Sequence, residues 1–448
     1  MKKSWFIVLM LFLAGAISYM DRAALPIAAP LITRDLHLDP AKLGIVFSAF
    51  FVGYSLFSLV GGYASDRFGA KRVLVASMSL WSVFSALTAG AFSMASLLVV
   101  RVVFGAGEGP YLSCTNKMLN GWFEHGKQTT AVGFATAGQQ FGGAIAGPIV
   151  GVLALHFGWR VSFIVIALMG LLWVSVWAAT VTDRPGERDI ESRNPEIAAR
   201  GDLQHAGAAT SGEPVAPLGT YLRNPQILAT SFAFFGYAYI VYFFLSWFPS
   251  YLTMERHLSI ASMSVVSVIP WAFGVVGVAL GGLVSDVLFR ITGNALLSRK
   301  LVIVVSLLIS AVCIAIAGHS DSVNVAVALM AITVFFANMT LSVYWGIIND
   351  IVEPARMGSV GGFVHFVSNI AGILAPAITG FIVQWTKLFQ SAFLLSGAVA
   401  LAGALAVAFF VRSEPPIAGV TDARGGLAGR SSSSPMRAAS CASARATD

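Results

Sequence analysis

The sequence predicts an all-α membrane protein whose twelve spanning helices form two parallel six-helix repeats. Three observations predict it. Of 448 residues, 57% are hydrophobic and only 11% charged, which leaves too little polar surface for a water-soluble globule. The apolar residues fall into twelve stretches near or above the roughly 20 residues that cross a bilayer. Gly61-Gly62-Tyr63-Ala64-Ser65-Asp66 is then echoed 220 residues later by Gly281-Gly282-Leu283-Val284-Ser285-Asp286.

In chain order the spans are expected at 5–30, 43–63, 73–93, 95–117, 130–156, 160–181, 226–253, 260–285, 300–318, 323–348, 358–384 and 391–411. They divide into an N-terminal half (1–181), a linker (182–224), a C-terminal half (225–411) and a tail (412–448). The linker is rich in charge, Gly and Ala, and the tail carries Ser431-Ser432-Ser433-Ser434, so both are expected to be flexible cytoplasmic segments. Met1-Lys2-Lys3 followed by apolar residues resembles a signal peptide, but a small-residue cleavage site is missing and the run continues into Asp21-Arg22. It is expected to remain as the first span. Gly147-Pro148 and Ala375-Pro376, 228 residues apart, extend the repeat. Parallel repeats place a site between the halves near the midplane.

The basic residues set the orientation. With the N-terminus inside, the inner segments hold 21 of the 28 Lys and Arg, the outer loops hold five (Arg34, Lys42, Arg160, Arg256, Lys387), and Arg22 and Arg101 are intramembrane. Both termini are therefore expected in the cytoplasm, and the net charge of +7 reads as a topology signal that gives no reason to invoke nucleic acid. Cys114, Cys313 and Cys441 are odd in number and lack metal-ligand spacing, so neither a disulfide framework nor a metal site is expected.

Tyr19-Met20-Asp21-Arg22 carries the chemistry. Asp21 lies about 24 Å along a helix from Trp5, with further apolar residues beyond it, and an ionisable group at that depth is costly unless a pathway or partner uses it. The same arithmetic puts Arg101 about 9 Å and Glu108 about 20 Å below the outer surface on one helix face. It puts Tyr54 about 16 Å down and Gln139 about 14 Å up from the inner surface. Arg22, Tyr54, Glu108 and Gln139 are thus expected to line one cavity, with an Asp21–Arg101 ion pair beside it.

These groups suit an organic anion. Arg22 offers a permanently charged fork that matches a carboxylate, and Tyr54 and Gln139 can bond hydroxyls. Glu108 next to an anion must take a proton or repel it, which links substrate to proton uptake. Asp21, Arg101 and Glu108 are the expected coupling residues. From the C-terminal half, Ser342, Tyr344, Trp345, His365 and Asn369 are expected to complete the pocket, with Tyr237, Tyr239 and Tyr242 closing it from outside. Neither H-E-x-x-H nor G-x-x-x-x-G-K-[ST] occurs, so no enzyme, cofactor or direct use of ATP is indicated, and an ion gradient remains as the energy source.

Gly62-Tyr63-Ala64-Ser65-Asp66-Arg67-Phe68-Gly69-Ala70-Lys71-Arg72 resembles the loop signature of the major facilitator superfamily. A gating role at the inner surface follows for Asp66, Arg67 and Asp286, with Asp66 able to face a helix N-terminus. More narrowly, Tyr19 to Arg22 with Ala28-Ala29-Pro30, Arg101 to Pro110, Tyr242 to Leu252 and Gly361 to Asn369 resemble the anion:cation symporter family. That resemblance implies import of sugar acids or aromatic acids with protons, alternating access, a bacterial-type inner membrane and a monomer. Sodium in place of protons stays open. The family usually has Asn where His365 stands. Gly143-Ala144-Ile145-Ala146-Gly147-Pro148-Ile149-Val150-Gly151 also has the look of a motif of drug antiporters, so proton-coupled efflux is the alternative transport reading, and ordinary small-residue packing its bland one. A non-transporting sensor is a third reading, against which stands the want of a folded signalling domain in linker or tail.

Overall fold

A computed structural model describes residues 3–123, 125–183, 217–353 and 356–412. Most of the expected linker and tail lie outside these residues. Sixteen helices occur among them, and twelve segments are long and apolar enough to cross a membrane. The first span is α1 (Lys3–Asp35), longer at both ends than expected; it runs past residue 30 because Pro26 and Pro30 are accommodated inside it. It is followed by α2 (Pro40–Phe68), α3 (Ala70–Thr88), α4 (Met94–Glu108), α5 (Tyr111–Trp122), α6 (His125–Phe157) and α7 (Trp159–Thr180). After the short α8 (Leu218–Leu222) come α9 (Pro225–Met254), α10 (Ile260–Val266), α11 (Val268–Thr292), α12 (Ala295–His319), α13 (Val323–Met339), α14 (Leu341–Ile351), α15 (Met357–Thr386) and α16 (Gln390–Phe410).

Three of the expected spans are each two helices. The fourth divides at Gly109-Pro110, where Pro110 has no N–H to continue the ladder. The eighth divides at Ser267 and the tenth at Thr340, whose hydroxyl turns back onto Ala337 O at 2.7 Å. The starts follow ordinary capping: Asp39 accepts from Lys42 N, Ser93 and Ser96 form a capping box, and Asn224 and Asn294 cap α9 and α12.

The repeat is visible in the packing. In the first six spans α1 packs on α6, and α2 on α4; in the last six, α9 packs on α15, and α11 on α13. The duplicated glycines occupy matching places. A Cβ on Gly61 would lie 2.4 Å from Pro110 Cα at the α4/α5 joint, and one on Gly281 would lie 2.0 Å from Met339 O at the α13/α14 joint. Only glycine lets the helices approach so closely there.

The two sets of six meet along α2 with α15, α6 with α10 and α11, and α1 with α9. The closest seam lies toward the face where α2 begins and α15 ends, called here the far face. Ser48 Oγ donates to Ile373 O at 2.6 Å, Phe47 meets Trp247 edge-on, and Phe51 lies 4.3 Å from the Tyr242 ring. Toward the opposite, near face, which holds residues 3 and 412, the sets part around a cavity of about 340 Å³ between α2, α5, α14 and α15.

Candidate functional site

Arg22 and Asp21 are neighbours on α1, so their side chains leave the helix about 100° apart and serve different helices. Arg22, 4% exposed, reaches Glu108 on α4, 0% exposed: Nε lies 2.7 Å and Nη2 2.6 Å from the same carboxylate oxygen, which also accepts from Ser18 Oγ. The Arg22 guanidinium sits over three rings, Tyr54 at 4.4 Å, Phe50 at 4.9 Å and Tyr19 at 5.0 Å. A buried charge is tolerable when it is paired and its remaining surface faces ring π-clouds, and both conditions hold here.

Asp21 turns to α3, where Ser85 Oγ donates to Oδ1 at 2.5 Å. The expected Asp21–Arg101 ion pair is not formed. The Arg101 guanidinium lies over Phe50 and Phe104, 5.0 Å from each, and its Nε has no hydrogen-bond partner. Glu108 Oε2 and Asp21 Oδ2 are likewise buried without a partner. Among the described residues each carboxylate therefore has one oxygen hydrogen-bonded and one buried without a hydrogen-bond partner.

The cavity itself is lined by Tyr54 from the N-terminal side and by Trp345, His365 and Asn369 from the C-terminal side. Arg22 and Glu108 are not on its lining: Arg22 lies over the Tyr54 ring and Glu108 pairs with Arg22, so these three form a layered wall instead of a single lining, and Gln139 is not part of it. Gln139, half-buried, packs against Gly15 of α1. Tyr344 is fully buried, stacked on Phe234 and bonded through its hydroxyl to Ala233 O at 3.1 Å, and Ser342 is exposed near Gly282. Neither of these two lines the cavity.

His365 and Asn369 are linked: Asn369 Nδ2 lies 2.9 Å from His365 Nδ1 and 3.0 Å from His365 O, and Tyr242 Oη donates to Asn369 Oδ1 at 2.9 Å. Tyr237 Oη donates to Asn338 Oδ1 at 3.3 Å, while the Tyr239 hydroxyl is buried with no partner. Sequence reasoning passed over Ser18 and Ser85, which hold the two carboxylates, and Ser55, Ser58, Ser113 and Asn116 on the cavity wall. Serines in apolar helices also satisfy themselves on their own backbone, as Ser58 does on Tyr54 O, so composition alone could not single them out.

At the near face Asp66 pairs with Lys117 Nζ of α5 at 2.7 Å, and Lys117 also donates to Ser65 O. The helix N-terminus expected for Asp66 is served by Asp183, which accepts from Lys71 N at 2.6 Å. Arg67 and Asp286 are exposed. The Gly143–Gly151 stretch is a packing face. Added Cβ atoms on Gly143, Gly147 and Gly151 would meet Trp271 at 2.9 Å, Ser264 O at 2.3 Å and Ser264 Oγ at 2.1 Å.

The family model of the Major Facilitator Superfamily matches residues 11–297 and 294–444. The chain is similar to the hexuronate transporter of Bacillus subtilis strain 168, 48% identical over 408 residues, covering 91% of this chain and 94% of that protein. It is 32% identical over 418 residues to a probable galactarate/D-glucarate transporter of the same organism, covering 91% of each. Among solved structures, a bacterial homologue of the human lysosomal transporter Spinster, in an inward-facing and occupied conformation, superposes with a TM-score of 0.71 at 18% identity, covering 90% of this chain and 95% of that one.

Proposed function

The chain belongs to the major facilitator superfamily, a multi-pass membrane transporter and not an enzyme, and on that premise we propose that it imports an organic carboxylate, foremost a sugar acid, together with protons. One observation carries the reading: a buried arginine, ringed by aromatics behind the wall of a cavity between the two halves, whose one anionic partner among the described residues is a carboxylate with an oxygen that has no hydrogen-bond partner there. A guanidinium so held binds a carboxylate through two parallel N–H donors. The named sugar-acid transporters among the relatives support the substrate class.

The sequence of events follows from the contacts. Glu108 occupies Arg22 when no substrate is bound. A proton on Glu108 removes the charge that holds Arg22, the Tyr54 ring swings aside, and the substrate carboxylate takes the fork. Asp21 is the second proton carrier and Arg101, held over Phe50 and Phe104 with no ion pair among the described residues, answers its change of charge. Alternating access exchanges the far-face seam for closure at the near face, where the Asp66–Lys117 pair takes part in gating. The basic-residue count supports both termini in the cytoplasm of a bacterial-type inner membrane, which makes the conformation described here inward-facing. The Gly143–Gly151 stretch is accounted for by its packing and lends no separate support to efflux.

Counterflow in proteoliposomes tests the reading with a labelled hexuronate and unlabelled competitors. The expected result is rapid exchange by the wild type, none by Arg22→Ala, and strongly reduced exchange by Arg22→Lys, which keeps the charge and loses the fork. Undiminished exchange by Arg22→Ala would remove the basis of the proposal.

A further inference from the structure

We infer that Tyr242 and Asn369 lock His365 as an obligate hydrogen-bond donor to the substrate, selecting acids that carry a second acceptor-only oxygen: a ring ether, a carbonyl or a second carboxylate. The inference rests on the transport of organic acids proposed above and concerns which of them are favoured. The lock is fixed from two sides. His365 O can only accept, so the Asn369 atom 3.0 Å from it is Nδ2, and the same nitrogen lies 2.9 Å from His365 Nδ1. Tyr242 Oη then donates to the remaining amide atom, Oδ1, at 2.9 Å. A ring nitrogen facing an N–H must accept, so the imidazole proton is on Nε2.

The Nδ1 edge of the ring is turned back onto its own helix. The edge that His365 offers to the cavity is therefore Nε2–H, which has no partner among the described residues. The opposite wall differs in kind. Ser55, Ser58, Ser113 and Asn116 carry acceptor oxygens as well as donors, although the Ser58 proton is spent on Tyr54 O, and the Ser55 hydroxyl is buried within that wall with no partner among the described residues. Substrate hydroxyls find acceptors for their protons on that wall. Against His365 a hydroxyl would keep its oxygen bonded but leave its proton stranded in a confined site, and a buried donor without a partner is costly. An acceptor-only oxygen loses nothing there. An asparagine side chain in place of His365 would offer both a donor and an acceptor and so would not discriminate.

The discriminating pair is a hexuronate and the aldonate made by reducing its aldehyde carbon, which replaces an acceptor-only oxygen by a hydroxyl. In proteoliposomes the wild type is expected to favour the uronate in kcat/KM by about tenfold, and His365→Asn to bring the two within about twofold by improving the aldonate. Tyr242→Phe keeps the ring against Phe51 and removes the hydroxyl that holds Asn369. It is expected to move the ratio in the same direction by a smaller factor, whereas a merely structural role would lower uptake of both acids equally. A ratio unchanged in His365→Asn overturns this inference alone; uptake of neither acid by the wild type overturns it together with the transport reading. Independently of transport, ¹⁵N NMR of histidine-labelled wild-type protein in nanodiscs, with His365 assigned by its loss in His365→Gln, is expected to show the Nε2–H tautomer. An Nδ1–H signal would refute the lock.

Discussion

Replacing Glu108 by Gln is expected to tighten substrate binding while ending proton-driven accumulation. The magnitude follows from the site. Arg22 gives Glu108 one charge-assisted hydrogen bond, from Nε at 2.7 Å, and an ion-pair contact from Nη2 at 2.6 Å, in full burial. Such a bond is worth about 1.5–3 kcal/mol, roughly twice its neutral counterpart. Gln keeps an acceptor of similar shape but no charge, so about half of the bond's worth and the ion-pair attraction are lost together, roughly 1.5–3 kcal/mol of the hold on Arg22. The substrate carboxylate competes against that weakened hold, and its dissociation constant is expected to fall by about ten- to a hundredfold. Titration calorimetry on the purified protein measures this directly. Counterflow, which needs no net proton movement, is expected to persist in the variant, and uptake driven by a pH gradient to vanish. Weaker binding, or full pH-driven accumulation by Glu108→Gln, would refute the reasoning that Arg22 is shared between Glu108 and the substrate.

Other outcomes follow from the two faces. Ser48→Ala removes the hydrogen bond to Ile373 O across the far-face seam; at about 0.6–1 kcal/mol it is expected to shift the population toward opening at that face roughly three- to fivefold, read by labelling of cysteines placed along α2 and α15. Gly147→Val, whose Cβ would lie 2.3 Å from Ser264 O, is expected to push apart the α6/α10 seam between the halves and raise far-face labelling much more, while folding and membrane insertion are retained. Asp66→Asn breaks a largely exposed pair with Lys117, so thermal stability is expected to change by less than about 1 kcal/mol while the turnover rate falls, a split that stability and initial-rate measurements separate.

The twelve spans were legible because hydropathy and length are properties of the chain alone, and the repeat because Gly61 and Gly281 do the same work at equivalent joints. Breaks within spans were less so: Gly109-Pro110 announces one, but Ser267 and Thr340 look like ordinary small residues in apolar runs. Depth arithmetic placed Arg22 and Glu108 together correctly, since residues at similar height on adjacent helices are within reach. It failed for Asp21 and Arg101 because height does not give azimuth. Asp21, one residue before Arg22, faces Ser85 of α3, and Arg101 spreads over Phe50 and Phe104. The same limit put Ser342 and Tyr344 in a cavity they do not line. That Tyr54 screens Arg22 was not readable either, because it depends on how two side chains share one space between α1 and α2.

The central claim is that an organic acid and protons enter together through the site held by Arg22. Internal pH, followed with a trapped dye in voltage-clamped proteoliposomes while a hexuronate is added outside, tests it most directly. Acidification that follows the acid in the wild type and disappears in Arg22→Ala is the predicted result. Accumulation of the hexuronate with no change in internal pH would contradict proton coupling, and acidification that persists in Arg22→Ala would contradict the site.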